Sequence, residues 1–327
     1  MKIEVLFKRI KDFFRTNECV VGFILMIVVA TLINRNFLTF ENISNVMRQT
    51  SMTGIIAIGM AIVIISGSID LSVGSVYALC GFVSLYMGSY GVALSVIVTL
   101  MVGAFAGLIN GLLITKLHIG SWVATLSTML GIRGITLILT HEKTFTPELP
   151  NAAFNAISRG AIFTYLNYPI IIFVVISLIA GLFLTYTPLG RNIYARGGNT
   201  EAAEMMGINT SSTLLVAHII SGVTASIAGI ILAARIGSAH PSSGEGTEMY
   251  AIASCVVGGI YLTGGRGRIF GVFIGAMIIG MLTNIFNLQN SFNVFWESVI
   301  TGTLVLVVVL VQQVNADNEA RRKKAIL

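Results

Sequence analysis

The stretch Gly67-Ser68-Ile69-Asp70-Leu71-Ser72-Val73-Gly74 sets a carboxylate and two hydroxyls between helix-breaking glycines, with apolar runs on both sides. An unpaired charge in hydrocarbon costs about 2.5–3.5 kcal/mol on insertion scales. Asp70 therefore either faces a polar path or ties down backbone, and Asp is also a favoured N-cap, here for a helix starting at Leu71. A second stretch, Gly258-Gly259-Ile260-Tyr261-Leu262-Thr263-Gly264-Gly265, shares the pattern G-x-I-x-L-[ST]-x-G. In a third, Pro188 to Asn209, Thr200 precedes a short helical run that Gly207 and Asn209 end. Glu201 and Glu204 fall near the positive end of that helix.

These groups suit binding and docking rather than bond-making. His118, His141, His218 and His240 are dispersed and none belongs to an HExxH pair. No G-x-x-x-x-G-K-[ST] loop is present, so the chain does not hydrolyse ATP by itself, and Gly-x-Ser-x-Gly is absent too. Cys19, Cys80 and Cys255 are scattered in apolar stretches and give neither a disulfide frame nor a metal site. No catalytic residue and no metal ligand is assigned.

The elements that must hold these residues lie in a membrane. Of 327 residues, 55% are hydrophobic and only 10% charged, with a mean hydropathy of +0.88. Soluble domains carry about 25% charged residues. The net charge of +6 reads as cytoplasmic anchoring charge on lipid before nucleic-acid affinity. Apolar stretches at 19–33, 52–66, 73–88, 91–115, 120–140, 168–187, 214–235, 250–263, 269–288 and 294–313 predict about ten transmembrane helices in an all-α polytopic fold. Residues 1–18 form an amphipathic cytoplasmic segment, 19–313 a single transmembrane domain with a long connection at 188–213, and 314–327 a basic cytoplasmic tail. With the N-terminus inside, the cytoplasmic segments hold 14 Lys and Arg and the outer ones five. Both termini are thus expected in the cytoplasm.

The stretches Met52–Ser66 and Ala251–Thr263 are short for simple crossings and run into the two glycine-rich motifs. Broken or re-entrant backbone is tolerated at membrane depth only where protein or a water-filled path satisfies its amides. Short, glycine-interrupted segments at matching places point to a transport path. Gly67, Ser68, Asp70, Ser72, Gly74, Gly258, Gly259 and Thr263 are its candidate residues. Arg133, inside the fifth span, is a candidate intramembrane charge that snorkels, pairs structurally or gates. Glu297 reads as interfacial, and Gly103-xxx-Gly107-xxx-Gly111 and Gly271-xxx-Gly275 as sites of close helix packing.

Glu201-Ala202-Ala203 through Gly207 resembles the E-A-A-x-x-x-G loop signature of ABC importer permeases. GSIDLSVG at 67–74, RNIYARGGNTEAAEMMGI at 191–208, Ala228-Gly229-Ile230-Ile231 and GGRGRIFGVFIGA at 264–276 look like the ribose-type sugar permeases of that superfamily. These matches run in order through most of residues 50–310. Gly67-Ser68 stands where the family usually has a glycine pair, and the I-x-L-P ending of the broader loop is missing. The resemblance implies a cytoplasmic coupling helix whose loop, through Arg191, Gly198, Asn199, Glu201, Ala202, Ala203 and Gly207, contacts a cytoplasmic ABC ATPase subunit. That partner would carry ATP and Mg, and this chain no cofactor. It further implies a second permease copy or paralogue, a periplasmic or lipid-anchored sugar-binding protein, and a place in the cell (inner) membrane. The expected function is import of a ribose-like monosaccharide by alternating access. The alternatives are a related polyol, nucleoside or sugar-like signalling molecule as cargo, or an ion-coupled secondary transporter, which should bear more intramembrane carboxylates.

Overall fold

The computed structural model describes residues 18–147, 151–288 and 295–324, with side chains except at 18, 295 and 315–324. The amphipathic stretch read at the N-terminus falls outside the described residues, apart from the backbone of Glu18. Among the described residues the chain forms α1 (Glu18–Ile33), a 3₁₀ turn (Arg35–Leu38), α2 (Phe40–Ile65), α3 (Val73–Gly88), α4 (Val92–Thr115), α5 (Ser121–Thr140) and α6 (Ala152–Arg159). A two-stranded antiparallel sheet follows, β1 (Ala161–Phe163) and β2 (Leu166–Asn167). Then come α7 (Tyr168–Tyr186), α8 (Pro188–Gly198), α9 (Thr200–Met205), α10 (Thr210–Ile236), α11 (Thr247–Val257), α12 (Ile269–Leu288) and α13 (Phe295–Lys324).

Seven of these, α2, α4, α5, α7, α10, α12 and α13, are long and apolar enough to cross a bilayer, and α1, α3 and α11 are apolar but shorter. Each apolar stretch of the sequence overlaps one of these ten helices. The fold is that of a helical, multi-pass membrane protein. The small sheet and α6 lie in the 141–167 connection, where hydropathy gives no signal.

The short span read at 52–66 is a correction. It is the second half of α2, which has 26 residues and measures about 39 Å at 1.5 Å per residue. Thr39 starts it by accepting a hydrogen bond from the Asn42 amide, with Glu41 in the first turn favouring the positive end. Of the polar residues that hid this half, Asn42 is paired inside the bundle. Asn42 and Asn284 of α12 exchange side-chain amide hydrogen bonds of 3.0 Å in both directions. The basic tail likewise continues α13 as helix to Lys324.

Between lipid-immersed helices apolar burial supplies little drive, so close packing through small residues takes over. α4 and α10 run antiparallel in backbone contact. A Cβ on Gly103 would lie 2.4 Å from the Gly222 carbonyl, and one on Gly107 2.2 Å from that of His218. α11 and α12 meet the same way, with a Cβ on Gly275 falling 2.1 Å from the Ser254 carbonyl. The glycine repeats of the sequence are thus packing surfaces. α2 is the buried axis, and every residue from Gly54 to Ile65 is buried. α13 is mostly exposed. α8 and α9 gather at one end of the bundle, called the α9 end below.

Candidate functional site

The chain leaving α10 does not go straight into another full span. The segment 237–246 turns back into the bundle, where Gly244 reaches the first turn of α3. A Cβ on Gly74 would sit 2.4 Å from the Gly244 carbonyl. Only then does α11 start, and its 11 residues cover about 16 Å. Non-helical backbone at this depth needs internal partners. Arg133 supplies them, donating from Nη1 to the Pro241 carbonyl and to the Ser243 carbonyl at 2.8 Å. Glu245 and Glu248 lie close enough to act on its charge. Of the roles open to Arg133, the geometry displays structural pairing.

At the α9 end, α2 and α11 finish in matching turns. Ser66 and Gly258 are the C-caps, followed by Gly67 at φ 79° and Gly259 at φ 85°. The Ser68 amide bonds the Val63 carbonyl and the Ile260 amide that of Cys255. Glycine at this left-handed position is the usual helix stop. The equivalence pairs Gly67 with Gly259, one residue out of step with the sequence match. The likeness ends there, because Gly74 is helical and Gly265 lies in a loop.

The 188–213 connection contains two helices rather than one. Thr187 caps α8 by accepting from the Gly190 amide. Asn199 caps α9, accepting from the Ala202 amide at 2.9 Å, so the cap falls one residue before Thr200. Asn209 does not end α9. It starts α10, accepting from the Ser212 amide. The last turn of α8 is seated on the end of α2 and on the loop that follows α11. Arg196 donates to the Ser66 carbonyl, Tyr194 donates to that of Gly267 at 2.8 Å, and the Gly265 amide bonds the Ile65 carbonyl. Burial pushes the Arg196 guanidinium below its usual value and Glu204 pulls it back, yet arginine stays charged throughout the physiological range. Burial likewise raises the Tyr194 phenol. On α9, Ala203 faces inward, while Glu201, Ala202, Met205 and Met206 face out. Glu204 is held by the Thr210 hydroxyl.

Past Gly67 the chain enters the bundle again, and Asp70 is 1% exposed. Its Oδ1 accepts from the Ser72 amide at 3.0 Å, the Ser72 hydroxyl at 2.6 Å and Asn110 Nδ2 at 3.3 Å. Its Oδ2 accepts from the Ser221 hydroxyl at 2.8 Å and lies 3.7 Å from His218 Nδ1. Asn110 extends the network by donating to Ser72 and accepting from Thr128 at 2.6 Å. His218 Nε2 meets the Ser68 hydroxyl at 3.0 Å. Asp70 thus organises the turn before α3, which starts at Val73 rather than Leu71, and joins it to α4 and α10. Asn110, Thr128, His218, Ser221 and Arg196 were not singled out from sequence. Polar residues at helical spacing within apolar spans were the available signal. Of the predicted path residues, Asp70, Ser72, Gly74 and Gly258 are buried, Ser68 is partly so, and Gly67, Gly259 and Thr263 are exposed. Arg191 and Gly198 sit on α8 and Asn199, Glu201, Ala202 and Ala203 on or next to α9, with Gly207 just beyond it.

The family described as the permease component of the branched-chain amino acid transport system matches residues 42–309. A ribose import permease protein of Haemophilus influenzae is 37% identical over 99% of both chains. One from Bacillus subtilis is 39% identical over 89% of this chain and 91% of its own length. The D-allose transport system permease protein of Escherichia coli is 37% identical over 88% and 89%. No solved structure matches the chain significantly.

Proposed function

Because the chain belongs to this permease family, we propose that it is the membrane-spanning subunit of an ATP-binding-cassette importer that carries a ribose-like monosaccharide into the cell by alternating access. It is a transport subunit rather than an enzyme. The family description names branched-chain amino acids, whereas relatives matching over nearly the whole chain are named for ribose and allose. The whole-length relatives support a monosaccharide cargo, and a related polyol, nucleoside or sugar-like signalling molecule is the rival cargo.

Seating of the α8–α9 segment on the end of α2 and on the loop after α11 carries the mechanism. An ATPase subunit holding ATP and Mg would push on the exposed face of α9, the coupling helix, through Glu201 and its neighbours. The rigid junction at Arg196 would pass that motion to the end of α2 and to the loop after α11. Gly67, Ser68, Gly258, Gly259 and Thr263 then form the part of the path nearest the coupling segment, and Asp70, Ser72 and Gly74 hold its wall. A second permease copy or paralogue completes the channel, and a periplasmic or lipid-anchored binding protein delivers the sugar on the far side. In this orientation both termini are cytoplasmic, and the ten apolar helices are spanning or partly spanning. For ATP and the binding protein to drive opposite openings, each must prefer a different state.

A pulldown from the native membrane in mild detergent tests the reading. Wild type should recover a cytoplasmic ATPase, and Glu201→Lys should lose it. ATPase retained by both moves the contact off α9. Absence of ATPase with intact wild type sinks the importer reading in favour of secondary transport.

A further inference from the structure

We propose that the cleft bounded by α2, α10, α11, α12 and α13 is a sugar-binding subsite on the transport path, with Thr50, Tyr250 and Glu297 as its contacts; this rests on the monosaccharide-import reading above. The cleft has a volume of about 500 Å³, inside the ~300–1,000 Å³ range of ligand sites. Thr50, Arg235, Thr247, Tyr250, Thr283 and Glu297 give it a hydrogen-bonding lining, and Met52, Ala276 and Ile279 an apolar floor.

Three observations point to a ligand here. Thr50 is only 3% exposed, yet its hydroxyl has no hydrogen-bond partner. Buried threonines elsewhere in the bundle bond the carbonyl one turn back, as Thr99 on α4 and Thr125 and Thr136 on α5 do. A buried hydroxyl left unpaired is unfavourable, and Thr50 is one of the residues lining the cleft. The second observation is the broken span. Because 237–246 descends into the bundle, the N-terminal turn of α11 opens on the cleft, bringing Thr247 and Tyr250 to mid-bundle depth. Discontinuous helices place their termini at solute sites in this manner. The third is charge. Arg235 and Glu297 both line the cleft, and among the described residues they form no ion pair within 4 Å. One positive and one negative group give a neutral lining that suits an uncharged polyol over a sugar phosphate or sugar acid. Glu297 is held by the Thr283 hydroxyl at 2.7 Å, so its orientation is set.

The test uses cells carrying the chain with its own ATPase and binding protein, and measures uptake of D-ribose and of singly deoxygenated riboses. Thr50→Val keeps the shape and removes the hydroxyl. It should shift the D-ribose to deoxyribose uptake ratio at least threefold for one of the deoxy sugars, and Glu297→Gln should do so for another. A purely structural role would lower all sugars together. In a Cys19→Ser background, where Cys80 and Cys255 are buried, Thr53→Cys should be labelled by a hydrophilic maleimide at least threefold more slowly in D-ribose. Ser89→Cys, in a different cleft, should show no protection. Wild-type uptake with unchanged ratios and no protection overturns the subsite and leaves the import reading standing. Wild type that takes up no monosaccharide overturns both.

Discussion

Arg196, on the last turn of α8, donates a hydrogen bond to the main-chain carbonyl of Ser66, which caps α2, across 130 residues of chain. The last four carbonyls of a helix lack internal partners and carry partial negative charge. A guanidinium there satisfies a carbonyl and meets the dipole together. Next to it, Gly197 leaves no room for a side chain, since a Cβ would fall 1.8 Å from the Ile65 carbonyl oxygen and 2.6 Å from the Gly265 amide nitrogen. α8, α2 and the loop after α11 therefore meet backbone to backbone, and a push on one displaces the others.

Gly197→Ala should cut sugar uptake about tenfold or more, because neither backbone neighbour can yield without moving a helix end; tenfold corresponds to about 1.4 kcal/mol. Gly181→Ala, on α7, is the control. Its added Cβ meets nothing within 4 Å, and uptake should stay near wild type. The measurement is initial uptake rate, normalised to permease in the membrane. Equal rates for the two variants would refute a rigid junction.

Arg133 serves two carbonyls of a descending loop, so Arg133→Met should destabilise the fold rather than merely change surface charge. Each buried carbonyl left unpaired costs about 1–3 kcal/mol. Thermal unfolding of the purified protein in detergent should occur several degrees lower for Arg133→Met. Arg133→Lys should fall between, since an ammonium keeps the charge but not the forked geometry. If Arg133→Met melts with wild type, the anchoring role is wrong.

The Asp70 network should respond in graded fashion. Asp70→Ala strands the Ser72 amide, Asn110 and Ser221 and leaves His218 without its carboxylate. Each buried donor left without its acceptor costs about 1–3 kcal/mol, and the Ser72 amide and the Ser221 hydroxyl both lose theirs. Thr128→Val, at the outer end of the chain of bonds, should cost only about 1 kcal/mol. Recovery of monodisperse protein after mild heating ranks the two. Equal recovery would mean that Asp70 is not the hub.

Most spans were legible because an apolar run of this length has few other readings in a membrane protein. The first half of α2 was missed because Asn42, Ser44, Asn45, Arg48 and Gln49 look like a loop to hydropathy, although Thr39 and Glu41 carry an N-terminal signature. The short helix α9 was legible within a residue from Thr200 and Gly207, although Asn199 is its cap, but α8 was not, since Arg191, Tyr194 and Arg196 make no apolar face long enough to register. Asp70 and Arg133 stood out as charges in apolar stretches, whereas their partners did not. The carbonyls of Pro241 and Ser243 belong to backbone, and Asn110 and Ser221 sit 40 and 151 residues from Asp70. Such pairings follow from helix packing, which a single chain's periodicity does not specify. The cleft was illegible for the same reason, being assembled from five helices.

The exposed face of α9 makes the last prediction. Met205 and Met206 are 88% and 80% exposed at the end of a short helix, just before Gly207 turns the chain at φ 80°. Two flexible apolar side chains held this far into water suit a partner surface, and burying a Met side chain stabilises by about 1.5–3 kcal/mol. Met205→Ser and Met206→Ser should each weaken binding of the purified permease to its ATPase about tenfold, the effect of roughly 1.4 kcal/mol. Glu204→Gln should change it little, because that side chain is turned back to Thr210. A titration of labelled ATPase against permease in detergent supplies the dissociation constants of wild type and of each variant. If both serine variants bind as wild type while Glu201→Lys does not, the contact is electrostatic and lies on the first turn of α9 alone.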